Sequence, residues 1–99
     1  MSYESKLKSD ELDALFQTIL KLGNLEECYK FFEDICTINE LKSIAQRLQV
    51  AKLLDEGVTY NEISKRTGAS TATISRVNRC VMYGTGGYHM MLSRKADAK

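Results

Sequence analysis

The sequence predicts an all-α fold, and three observations carry that reading. Apolar residues return at three- and four-residue spacing along most of the chain, the period of an α-helix. No segment of useful length alternates apolar and polar residues as a half-buried strand would. The chain holds no proline, and a polar cap followed three residues later by an acid recurs at three points.

The elements follow in order. Ser9 starts the first helix, with Asp10 and Glu11 in the first turn, where a carboxylate favours the helix dipole. Leu12, Leu15, Phe16, Ile19 and Leu22 give its apolar face, and Gly23 closes it. Asn24 and Glu27 have capping-box spacing and open the second helix, which carries Leu25, Cys28, Tyr29, Phe31, Phe32, Ile35 and Cys36. Thr37 and Glu40 repeat the signal before a long third helix, Ile38 to Glu56, which Gly57 ends. Thr59 and Glu62 open a fourth helix, about Tyr60 to Thr67. Gly68 ends it, and Ser70 caps a fifth that reaches about Tyr83. The "GTGG" of Gly84 to Gly87 reads as a flexible joint, Tyr88 to Arg94 as a short last helix, and Lys95 to Lys99 as a frayed end.

The 99 residues fit one small domain, 1–99. Within it, 9–57 read as dimerisation helices, 59–83 as a helix pair with a tight turn, and 84–99 as the joint and a short helix or tail. The second helix and the end of the third, at Val50, Ala51, Leu53 and Leu54, are apolar on more than one face. Such helices need cover on more than one face, and a short chain has little left to supply it. A homodimer is the expectation.

Composition excludes several function classes. The start is polar, with no signal-peptide core, and apolar runs are too short to cross a membrane. Cys28, Cys36 and Cys80 form no CxxC pair, and His89 is the single histidine, so no metal or cofactor is expected. The cysteines read as small buried apolar residues in a reducing cytoplasm, and His89 as an exposed or tail-packing residue. No base–nucleophile pair is evident, so the chain does not read as an enzyme.

The net charge of +1 conceals an asymmetry. Met1 to Gly57 holds seven Lys and Arg against eleven Asp and Glu, a net −4. Val58 to Lys99 holds seven against two, a net +5. A basic half suggests a polyanionic partner. The fourth and fifth helices fit one. Joined only by Gly68, Ala69 and Ser70, they have the helix-turn-helix arrangement. Ile63 points inward, Ser64 is small where the helices cross, and Gly68 tolerates positive φ. Ile74, Val77 and Val81 make one apolar stripe. Opposite lie Ala72, Ser75, Arg76 and Arg79, with Thr71 and Thr73 toward the open N-terminal end. A recognition helix brings its first residues to base edges in the major groove of double-stranded DNA, where bulky side chains would hold the backbone away. Thr and Ser hydroxyls donate or accept, and Thr and Ala methyls pack on thymine methyls. Lys65, Arg66 and Arg79 suit phosphates. The plainer reading is a packing unit with solvated threonines.

"SIAQRLQVAKLLDEG" followed by "TYNEISKRTGASTATISRVNR" resembles the Trp repressor superfamily, most nearly its YerC/YecD-type branch. The specific part spans Thr37 to Arg79, "GASTATISR" being the most specific segment; the first two helices match in pattern only. The resemblance implies an intertwined helical homodimer with one helix-turn-helix per chain. It also implies a candidate effector site, where arginines and a threonine before the third helix hold an amino acid. Thr37, Arg47 and Arg76 occupy those positions. Val77 stands where the tryptophan-binding protein keeps a glycine to make room for the indole, so free tryptophan is not expected to act as a strong co-repressor, while a smaller carboxylate ligand stays open. The plainer role for Arg47 and Arg76 is structural or phosphate-facing. Tyr60, Asn61 and Ser64 replace larger polar or basic residues at operator-contacting positions, so the DNA sequence read should differ from the tryptophan operator. "YGTGGYHMMLSRK" departs from the family's longer last helix.

The leading expectation is a cytoplasmic, homodimeric transcriptional regulator, a repressor acting by promoter occlusion. The alternatives are a small-molecule sensor with a pocket near Arg47 and Arg76, and a helix-turn-helix interaction module of a DNA-handling assembly.

Overall fold

The structure, a computed structural model, describes residues 3–94. Among these there are six helices and no strand: α1 (Asp10–Ile19), α2 (Leu25–Ile35), α3 (Ile38–Asp55), α4 (Tyr60–Thr67), α5 (Thr71–Tyr83) and α6 (Gly87–Ser93). The chain divides into two compact units, residues 1–37 with α1 and α2, and residues from 38 onward with the other four helices. Lys95 to Lys99, read from sequence as a frayed end, lies outside the described residues.

In the first unit the caps form where the sequence places them. The Ser9 hydroxyl accepts the Leu12 N–H at 3.1 Å, and Asp10, Glu11 and Asp13 fill the first turn of α1. The helix stops at Ile19, ahead of Gly23. The chain tightens there into i→i+3 bonds, Lys21 N–H to the Thr18 carbonyl and Leu22 N–H to the Ile19 carbonyl, both 3.0 Å. Asn24 Oδ1 accepts the Glu27 N–H at 2.9 Å. The Glu27 carboxylate reaches back past the cap to the Gly23 N–H, at 2.7 Å, rather than to the Asn24 N–H of an ideal capping box. Neither helix buries a residue. Phe16, Leu20, Leu25 and Tyr29 stand exposed.

The second unit holds the core. Val50 and Ala51 of α3, Ile63 of α4, Ala69 of the turn and Ile74, Val77 and Val81 of α5 are buried together. Leu53, Leu54, Val58, Tyr60, Tyr88 and Leu92 pack around them. The end of α3 is therefore covered by α4, α5 and α6 of its own chain, which corrects the expectation that Val50, Ala51, Leu53 and Leu54 need a second chain. The reason is geometric: a helix-turn-helix laid across α3 covers two adjacent faces of it. Earlier along α3, Ile44 and Leu48 remain exposed.

Gly57 terminates α3 as expected. It takes φ +81°, its N–H bonds the Leu54 carbonyl, and the Val58 N–H bonds the Leu53 carbonyl, both at 3.0 Å. This is a Schellman cap, with Val58 and Leu53 both packed on the core beside it. The cysteines depart from expectation. Cys28 and Cys36 are half-buried and Cys80 is exposed. Cys28 and Cys36 belong to the unit whose helices bury no residue fully. Cys80 precedes Val81 on α5, at the flank of the buried stripe, and borders a groove rather than the core.

Candidate nucleic-acid interface

Three side chains and one left-handed glycine shape the turn between α4 and α5. Gly68 takes φ 75° and ψ 4°, and its N–H donates to the Ser64 carbonyl at 2.8 Å. An L-residue resists this conformation because its Cβ crowds the following carbonyl. The Ser64 hydroxyl donates to the Ala69 carbonyl at 2.8 Å. The Thr67 hydroxyl donates to the Ile63 carbonyl at 2.8 Å and accepts the Ala69 N–H at 3.1 Å. From α3, Gln46 Nε2 donates to the Thr67 carbonyl at 3.2 Å. Ala69, 2% exposed, plugs the angle between the helices.

Ser70 caps α5. Its hydroxyl oxygen accepts the Thr73 N–H at 3.1 Å and lies 3.2 Å from the Thr73 hydroxyl. The buried stripe of α5 is the expected one: Ile74 is 0%, Val77 2% and Val81 8% exposed. The opposite surface carries Thr71, Ala72, Ser75, Arg76 and Arg79, all exposed, with Ser70 at its head. Of the α4 candidates, Asn61, Lys65 and Arg66 are exposed, while Tyr60 and Ser64 are half-buried. Tyr60 packs on the core, and the Ser64 hydroxyl is already engaged with the turn. Thr73 is half-buried beside Ser70, so the open N-terminal face is chiefly Ser70, Thr71, Ala72 and Ser75.

Charge on this helix pair is one-sided. Tyr60 to Tyr83 holds four Lys and Arg and one carboxylate, Glu62. Glu62 pairs with Arg66 one turn on, at 3.0 Å. Lys65, Arg76 and Arg79 have no ion-pair partner among the described residues. Such cations, with the free amides at the start of α5, can hold phosphates while short side chains admit the backbone to a groove.

The candidate effector residues stand in different surroundings. The Arg47 guanidinium donates to the Ser43 hydroxyl at 3.2 Å. It borders a groove of about 640 Å³ walled by Ile44 and Leu48 of α3, Cys80 of α5, and Tyr88, Met90 and Met91 of α6. Arg76 lies on the exposed side of α5, and Val77 lies in the core. Thr37 ends the first unit, at the start of α3. Sequence reasoning missed the α6 wall of this groove, because a short Met-rich segment after glycines gives no periodic signal. It also missed Gln46, whose only signal is its place one turn before Val50 on the core-facing side of α3. No cluster of three or more His, Cys, Asp or Glu among the described residues could hold a metal ion. No helix among them is long and apolar enough to cross a membrane.

Comparison with known proteins agrees with this geometry. The family model described as Trp repressor protein matches residues 10–96. The YerC protein of Bacillus subtilis is 62% identical over 94 residues, covering 95% of this chain and 90% of that protein. A Trp repressor-type crystal structure from Staphylococcus aureus superposes with a TM-score of 0.87 at 55% identity, over 90% of this chain and 89% of that one. A TrpR-like protein from Eubacterium eligens gives a TM-score of 0.87 at 56% identity, over 90% and 92%.

Proposed function

From the premise that this chain belongs to the Trp repressor family, one of non-enzymatic regulators, we propose that it is a cytoplasmic, homodimeric, sequence-specific DNA-binding transcriptional repressor. α5 is its recognition helix. The observation that carries the reading is the helix pair itself, where short exposed Ser70, Thr71, Ala72 and Ser75 head α5 and the same two helices carry the exposed cations Lys65, Arg76 and Arg79, without ion-pair partners among the described residues. Short hydroxyls and methyls suit base edges, and the cations suit phosphates. The dimer is supported by α1 and α2, which bury no residue although each is amphipathic. A dimer presents two recognition helices to half-sites about one helical turn, ~34–36 Å, apart.

Selection of bound DNA from a random pool tests this reading. The expected product is an inverted repeat whose retention falls steeply with salt as phosphate contacts release counterions. Enrichment of no sequence, or a flat salt dependence, would overturn it and favour an interaction module with a protein partner.

The groove beside Arg47 favours a second reading in which DNA binding answers to a small ligand. One guanidinium in an apolar groove fits a small carboxylate. Thermal shift across amino acids and nucleotides reads it directly, since a ligand that binds only the folded state raises the melting temperature.

A further inference from the structure

We propose that Gln46 is a positioning residue that fixes the rotation of the helix-turn-helix on α3, and with it the angle at which α5 meets DNA. The inference rests on the DNA-binding reading and extends it to a residue outside the helix-turn-helix. The contact between α3 and the α4–α5 pair is otherwise apolar: Val50 and Ala51 against Ile63, Ile74 and Val77. Side-chain packing sets the crossing of the two parts only within a spread of about 15–20°. A hydrogen bond restricts both distance and angle. Gln46 lies four residues before Val50, about 6 Å along the helix axis, and its Nε2 donates to the Thr67 carbonyl. A polar attachment displaced along α3 from the apolar one narrows the orientation that packing sets. The carbonyl it takes is the last of α4, where a helix leaves its carbonyls without intrahelical partners. Thr67 in turn holds the Ala69 N–H, one residue before the Ser70 cap of α5. A rigid path of hydrogen bonds and one short turn therefore runs from α3 to the start of the recognition helix.

The test compares full-length variants on the selected DNA, with circular dichroism to establish that each is folded. Gln46→Met keeps the side-chain length and removes the donor; it should bind about three- to fivefold more weakly, with the roughly tenfold worth of one hydrogen bond as the ceiling. Gln46→Lys restores a donor. Gln49→Lys places the same charge in the same groove, which both glutamines line, and gives the effect of charge alone. Recovery by Gln46→Lys beyond the Gln49→Lys baseline supports positioning, because a loss of bulk would not be rescued by a donor. Wild-type affinity in Gln46→Met, or no recovery beyond the baseline, overturns it. Amide exchange separates this from the function itself. If the wild type binds no DNA, the DNA-binding reading falls, and the Gly68 and Ala69 amides decide: faster exchange in Gln46→Met supports the anchor and unchanged exchange overturns it.

Discussion

Arg79 and Arg66 carry the same charge on the same helix pair but stand in different circumstances. Arg66 is held by Glu62, whereas Arg79 has no ion-pair partner among the described residues. Arg79→Ala should therefore weaken binding to all DNA sequences about equally and lower the slope of affinity against salt by about 1, while Arg66→Ala should do less of both. Filter binding at several salt concentrations checks this, and a loss confined to one sequence would contradict it. Val77 gives a second residue-level expectation. It is 2% exposed among Ile74, Val81 and Val50, so Val77→Gly should cost about 2–3 kcal/mol of stability from lost burial and added backbone freedom. If Val77 also excludes an indole, calorimetry should find weak tryptophan binding by the native protein and tighter binding by Val77→Gly. Equal affinities would remove the steric account. At this scale the sequence was legible where a residue answers to periodicity: Ile63, Ile74, Val77 and Val81 are buried as their spacing requires. It was less legible at Ser64 and Gln46, whose partners are backbone carbonyls that no side-chain pattern announces.

Among the elements, helix starts were easier to read than helix ends. Ser9, Asn24, Thr59 and Ser70 each accept the N–H three residues on, which is a local rule written in residue type. Ends depend on what the chain must do next. Gly57 and Gly68 stop their helices in left-handed conformations, but α1 ends before its glycine because its last turn tightens. α6 begins at Gly87, one residue before the expected Tyr88, after Gly86 at φ 93°. The turn at Gly68 sets the geometry of the helix pair, so Gly68→Ala should destabilise by about 1–2 kcal/mol through left-handed strain alone, since a Cβ there meets nothing within 4 Å. Urea unfolding measures this. A cost below about 0.5 kcal/mol would mean that the turn relaxes to another conformation.

For the whole molecule, the all-α class, the helix order and the family were legible, because periodicity, caps and the "GASTATISR" segment agree with one another. Which surfaces need a partner was harder, because that depends on tertiary packing: α3 is covered at Val50 and Ala51 by its own chain, while α1 and α2 bury no residue fully. Sedimentation should accordingly show a dimer at micromolar concentration, and a folded monomer there would contradict the proposed assembly. The thin cover on α1 and α2 has a consequence for how long the protein survives. If their apolar faces are covered only by a second copy, the integrity of the first 37 residues depends on crowding by like molecules. In dilute solution trypsin should cut after Lys21 and Lys30, both exposed, and adding more of the protein should protect them. A cell holding few copies would then clear them and a cell holding many would keep them, so abundance would set its own lifetime.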